Sequence, residues 1–148
     1  MSGLGQFYVG NFRHNLDAKK RLTIPSKWRF EGDVDQTYVA LPDPAGCITV
    51  LPPRAVSKYM EKLEEVSLGD AEAQQALQQL LAEACSFTID KQGRINIDER
   101  LYRYAAIGKQ VVLAGVMNTF KLWEPERYDA YMGSNVPDLG QVLKKLKI

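Results

Sequence analysis

One pattern occurs twice in this chain and limits the fold more than any other feature. Asn15-Leu16-Asp17-Ala18-Lys19-Lys20-Arg21-Leu22-Thr23-Ile24 lies over Thr88-Ile89-Asp90-Lys91-Gln92-Gly93-Arg94-Ile95-Asn96-Ile97. Both read apolar-Asp-x-x-x-Arg-apolar-x-Ile. The match continues downstream with a small slip: Tyr38 to Leu41 faces Val111 to Ala114, Ile48 to Leu51 faces Phe120 to Trp123, and Pro53 and Tyr59 meet Pro125 and Tyr131. Self-similarity on this scale marks a duplicated structural unit. A unit so small cannot bury its apolar surface alone, so the two must pack on one another.

The expected architecture is α+β and mainly β. Two fused repeats form a small closed or nearly closed β-barrel, with short peripheral helices and a helical insert. We divide the single domain 1–148 into a first half 7–60, an insert 61–84, a second half 86–132 and a flexible tail 133–148. Each half is expected to run strand, turn, strand, short helix, strand, loop, strand, helix.

Phe12, His14 and Leu16 alternate with polar residues, as do Leu22 and Ile24 beyond the turn. Period two on both sides of a polar turn predicts a β-hairpin, repeated by Phe87, Ile89, Ile95 and Ile97. Gly93 suits a positive-φ turn position. Lys20 in its place predicts a turn that is less relaxed or differently shaped. Pro25 suits the first turn of a short helix with Trp28 and Phe30. In the second copy Asp98 can cap Glu99 to Ala106, with Gly108 at the exit. Val56, Tyr59, Met60, Leu63 and Val66 have amphipathic helical spacing, and Asp70 can cap a second helix with Ala73, Leu77, Leu80, Leu81 and Ala84 on one side. Gly133 to Pro137 reads as a linker. Leu139 to Ile148 reads as a short amphipathic helix or a frayed basic tail.

The formal net charge is only +1, but its distribution is uneven. Arg13, Lys19, Lys20, Arg21, Lys27 and Arg29 oppose Asp17 alone between positions 13 and 29. Glu61, Glu64, Glu65, Asp70, Glu72 and Glu83 oppose only Lys62 in the insert. A basic turn and an acidic insert give a polyanion one face to approach. Within the motif, Asp before the turn and Arg after it can pair bidentately and fix the loop, and Asp can accept turn amides. An arginine already held in place loses little freedom on meeting phosphate or a guanine edge. Candidate DNA-contacting residues are therefore Arg21, Lys20, Lys19, Arg13, Arg94 and Lys91, with Asp17 and Asp90 in a structural role.

Other classes find little support. His14 is the single histidine, and there is no histidine pair, phosphate-binding glycine loop or metal spacing. Asp17 and Asp90 each have an arginine partner, which argues against a shared-proton carboxylate dyad. We expect no catalytic residue, metal, cofactor or small-molecule substrate. No stretch is apolar enough to span a bilayer, and Met1 to Gly10 does not read as a signal peptide. Cys47 and Cys85 are expected as two free buried thiols in a reducing compartment.

The double motif, Asp17 to Pro25 and Asp90 to Ile95, resembles the MraZ proteins, and the likeness extends through Gln110 to Tyr131 with its Leu122-Trp123-Glu124 stretch. The resemblance implies a fused pair of AbrB/SpoVT-type swapped-hairpin modules with pseudo-twofold symmetry. It implies a cytoplasmic, nucleoid-associated transcriptional repressor that binds repeated double-stranded promoter sites upstream of the division and cell-wall gene cluster, as a ring homo-oligomer. The motif's arginines fall on Arg21 and Arg94 and its aspartates on Asp17 and Asp90. A ring also answers the low net charge, because many weak hairpins act together. This chain departs from the family pattern at Lys20 (usually Gly), at Asp98 (usually Pro) and in its opening stretch, Ser2 to Gly10. The first copy accordingly ranks above the second. The rival reading is a ring-forming protein-interaction module without DNA binding.

Overall fold

Short strands outnumber α-helices because β-branched and aromatic residues alternate between turns, while α-helices appear only where proline or aspartate starts them. The computed structural model describes residues 6–133 and 136–148. Positions 1–5 of the opening stretch, and Ser134 and Asn135 of the expected linker, lie outside the described residues. The first half contains β1 (Asn11–Asn15), β2 (Leu22–Thr23), two 3-10 turns (Ser26–Trp28 and Glu31–Asp33), β3 (Tyr38–Pro42), β4 (Ile48–Leu51) and α1 (Pro53–Glu64). After α2 (Ala71–Glu83) come β5 (Cys85–Phe87), β6 (Arg94–Ile95), α3 (Glu99–Tyr104), β7 (Gln110–Val116), β8 (Thr119–Trp123), α4 (Pro125–Met132) and α5 (Leu139–Leu146). The order repeats as expected, and the fold is α+β and mainly β.

Pairing departs from the sequence reading. β1 and β2 do not form a ladder with each other, nor do β5 and β6. β1 pairs with β7 of the other half, and β5 pairs with β3. β2 and β6 pair only with one another, as a separate two-stranded ribbon. The remaining strands form an open antiparallel sheet in the order β1-β7-β8-β4-β3-β5. The expected hairpin is therefore a tight turn whose two arms diverge into different sheets. Registers obey one pseudo-twofold relation: Ala40 opposite Cys85 corresponds to Leu113 opposite Phe12. The axis passes through Leu22 opposite Ile95 in the ribbon and Thr49 opposite Lys121 in the sheet.

No ladder among the described residues closes the sheet. The ribbon lies over one face of it instead, and Leu22, Ile24, Ile95 and Ile97 enter one apolar cluster with Val50, Val111, Leu113, Phe120 and Leu122. On the other face α1 covers Val39 and Leu51, and α4 covers Val112 and Trp123 through Tyr128. The opening segment is tied into this core. Tyr8 is 3% exposed, exchanges backbone hydrogen bonds with Met117 (2.7 and 3.1 Å), and packs its ring on Trp28, Phe30 and Phe120. Its backbone passes so close to Gly115 that a Cβ there would lie 2.4 Å from the Tyr8 carbonyl.

Several local expectations are corrected. α3 ends at Tyr104, and Ala106 at φ 57°, rather than Gly108, takes the left-handed exit. The amides of Ala106 and Ile107 then bond back to Arg103 and Tyr102, which satisfies the last carbonyls. Cys47 is buried, which pushes its thiol up to about 12, but Cys85 at the start of β5 is only half-buried. Asp98 does cap its helix, accepting the Arg100 amide at 3.0 Å. Leu139–Leu146 forms a helix capped by Asp138. No helix of the described residues is long and apolar enough to cross a membrane.

Removing the Tyr8 ring leaves a void among three aromatic neighbours. Tyr8→Ala is expected to lower unfolding stability by about 3–5 kcal/mol, the usual cost of truncating a buried aromatic. Urea denaturation followed by tryptophan fluorescence checks this.

Candidate nucleic-acid interface

The two Asp-x-x-x-Arg segments fold into the same turn. The Asp17 amide bonds to the Arg21 carbonyl (3.0 Å) and the Lys20 amide to the Asp17 carbonyl (2.9 Å). In the second copy the Asp90 amide bonds to the Arg94 carbonyl (2.9 Å) and the Gly93 amide to the Asp90 carbonyl (3.0 Å). This is a β-turn followed by one residue in the left-handed region, a common way to reverse a chain between antiparallel arms. Gly93 fills that position at φ 79° and Lys20 at φ 60°. Lys20 therefore does not change the turn's shape; it holds the same shape under backbone strain, since a Cβ there meets the following carbonyl.

Each aspartate binds its turn through three donors. Asp17 Oδ1 accepts the amides of Lys19 (2.9 Å) and Arg21 (2.8 Å), and Oδ2 accepts Arg21 Nε (2.7 Å). Asp90 accepts the amides of Gln92 (2.9 Å) and Arg94 (2.8 Å) and Arg94 Nε (2.8 Å). The Arg21 amide, its guanidinium and the Lys19 amide hold the Asp17 carboxyl below the usual aspartate range. For Asp90 partial desolvation pushes upward, and the Arg94 amide, the Arg94 side chain and the Gln92 amide together outweigh it.

The expected bidentate guanidinium fork is absent: each arginine uses only Nε with its own amide. Among the described residues neither Nη atom of Arg21 or Arg94 has a partner, so the outer edge of each guanidinium is open to a ligand. The ribbon sets where these edges point. Leu22, Ile24, Ile95 and Ile97 are buried beneath it, while Arg21, Thr23, Arg94 and Asn96 occupy its outward face. A strand rise of about 3.3 Å and a spacing of about 4.8 Å put the Arg21 and Arg94 Cα atoms roughly 8 Å apart.

The other predicted residues divide. Lys19 and Lys91 are exposed on the two turns. Lys20 reaches across to Glu99 on α3, in an ion pair whose members are about half exposed. Arg13 is not with the turns. It lies on the α4 side of β1, paired with Asp129 at 2.8 Å and 6.0 Å from the Tyr128 ring centre.

Sequence reasoning missed two features of this face. Arg29 of the first half packs its guanidinium against Gly93 of the second turn and donates Nε to the Ile24 carbonyl (2.7 Å). The strand exchange thus gives the second turn a cation from the first half, and sets a carboxylate, Glu99, beside the first. The charge difference between the copies is smaller than the linear sequence suggests. Thr23 and Asn96 were also passed over, although the period-two pattern already placed them beside the arginines.

The family profile described as "MraZ protein, putative antitoxin-like" matches residues 80–136, which include the second turn. A Natranaerobius thermophilus protein named Transcriptional regulator MraZ is 35% identical over 124 residues, covering 84% of this chain and 85% of its own. Proteins of the same name from Halothermothrix orenii and Clostridium tetani are 33% and 30% identical, covering 86% and 94% of this chain and 87% and 96% of their own.

Two tests follow from the turn geometry. Gly93→Ala meets both a positive φ and the Arg29 side chain, so it should cost at least about 1–2 kcal/mol in denaturant unfolding. Lys20→Gly should not destabilise, because relief of about 1 kcal/mol of strain exceeds the few tenths expected from an exposed pair. The depressed aspartates add stability above the ordinary aspartate range, lost as pH falls through their lowered values. An Asp17→Asn/Asp90→Asn double variant should therefore be less stable than the wild type at neutral pH, with a smaller loss on acidification, as read from urea midpoints across a pH series.

Proposed function

Because this chain belongs to the MraZ family, we propose that it is a sequence-specific DNA-binding regulator of transcription. In this reading it represses the division and cell-wall gene cluster that includes its own gene. The observation that carries the DNA-binding part is the pair of matched turns, each presenting an arginine fixed through Nε with its Nη edge open. A guanidinium so held meets phosphate or the O6 and N7 of guanine with little further loss of freedom. Lys19 and Lys91 stand beside them for phosphate contacts, which position a protein without reading sequence. Lys20 can add to this by exchanging Glu99 for phosphate. Relatives named as transcriptional regulators are not enzymes, and the site offers anion recognition rather than a reaction.

The swapped-hairpin AbrB-like barrel belongs to the same proposal, and the exchange of β1 and β5 between halves supports it. So does assembly into a ring that sits on repeated promoter sites in the cytoplasm, at the nucleoid. Supporting self-association, Leu139, Val142, Leu143 and Leu146 of α5 remain exposed in the single chain. Several modest sites on one ring bind together by effective concentration.

Fluorescence anisotropy with duplex DNA from upstream of the gene cluster tests the reading. Arg21→Ala and Arg94→Ala should each weaken binding at least about tenfold, with the oligomer mass by light scattering unchanged. Wild-type affinity should fall steeply with salt. Full affinity in both variants, or a ring that binds no DNA, would overturn it in favour of a protein-interaction module.

A further inference from the structure

We infer that Thr23 and Asn96 read bases, and that their difference makes each chain recognise a directional, non-palindromic step. The inference rests on the DNA-binding reading above. Thr23 and Asn96 occupy equivalent places about the pseudo-twofold axis through Leu22 and Ile95. Thr23 lies opposite Arg94 in the ladder, and the same relation sets Asn96 beside Arg21. Four outward side chains thus form one array, with neighbours about 5 Å apart across the ribbon and about 7 Å apart along it. That span matches two base-pair steps, and a two-stranded ribbon fits the major groove.

The array is rigid where a reading head must be. The ribbon's underside is buried through Leu22, Ile24, Ile95 and Ile97. His14 Nδ1 on β1 donates to the Thr23 carbonyl (2.9 Å), and the Ile24 amide donates to the Gly93 carbonyl (2.8 Å). Thr23 and Asn96 are nevertheless exposed, and among the described residues neither side chain has a hydrogen-bond partner. Free polar groups on a fixed backbone between two open guanidinium edges suit base edges better than phosphates, which the turn lysines face.

Their chemistries differ. An asparagine amide offers a donor and an acceptor side by side, matching N6 and N7 of adenine, whereas threonine offers one hydroxyl and a methyl that meets the thymine methyl. The two arginines are equivalent under the pseudo-twofold and carry no direction. The Thr23 and Asn96 pair breaks that symmetry, so the preferred step has a polarity.

Selection of binders from a randomised duplex pool tests this, with wild type, Asn96→Ala and Thr23→Asn. The positions are exposed, and unchanged circular dichroism confirms folding. Asn96→Ala should lose about 5- to 150-fold of its preference at one or two base positions, with non-specific affinity and salt slope unchanged. Thr23→Asn should recover sites closer to palindromic. A wild type that selects a sequence, with both variants selecting the same one, overturns this assignment alone. A wild type that selects no sequence overturns both this assignment and the function beneath it.

Discussion

β2 and β6 have no ladder partner within their own halves, and pairing them with each other fixes most of the remaining geometry. Leu22 meets Ile95 on the pseudo-twofold axis, and each two-residue strand is too short to stand without the other. Once they pair, the turns preceding them fall at opposite ends of one ribbon, and the strands before the turns are directed away. β1 must then find its ladder on β7, and β5 on β3. Exchange of first strands thus follows from the same contact that places Arg21 near Arg94. The core and the candidate DNA face are two sides of one ribbon.

The turns show how a structural clamp and a ligand site can share a residue. A carboxylate that took both Nη atoms of its arginine would leave the guanidinium little to offer. Here the aspartate draws on two backbone amides and Nε, so the loop is closed while the outer edge stays open. The clamp is matched atom for atom in both copies although one turn carries strain at Lys20 and the other does not. The hydrogen bonds made by each aspartate, with the ribbon beneath, are enough to hold a side-chain-bearing residue in the left-handed region.

Much of this was legible in the residues. The repeat, the order of elements, the alternation that buries Leu22 and Ile24, the Asp98 cap and the role of Asp17 and Asp90 all came from spacing and local chemistry. Partners did not. Period two says which face of a strand is covered, not which strand lies beside it, so β1 and β2 read as a hairpin when each in fact ladders with a strand of the other half. For the same reason Arg13, close to the turn in sequence, stands on the opposite face of the sheet beside Asp129. Arg29 and Glu99, distant in sequence, turn up at Gly93 and Lys20. Tyr8 was invisible because Phe7 and Tyr8 between glycines carry no periodicity, and only the rings of Trp28, Phe30 and Phe120 give Tyr8 its place.

Comparison of the two copies under the pseudo-twofold relation separates what packing demands from what it leaves free. Inward positions keep their kind: Leu22 with Ile95, and Ile24 with Ile97. A small residue at any of them would leave a hole beneath the ribbon, and a polar one would bury an unpaired group. Outward positions differ in chemistry: Thr23 against Asn96, Lys20 against Gly93, Lys19 against Gln92. None of these differences disturbs the ribbon, because solvent replaces the missing side chain at the exposed positions and Arg29 packs over Gly93. Along the ribbon the two copies therefore differ only on the surface where the two arginines are presented. Any distinction this chain draws between the two ends of a ligand must be written there, since the symmetric clamps beneath respond alike to both.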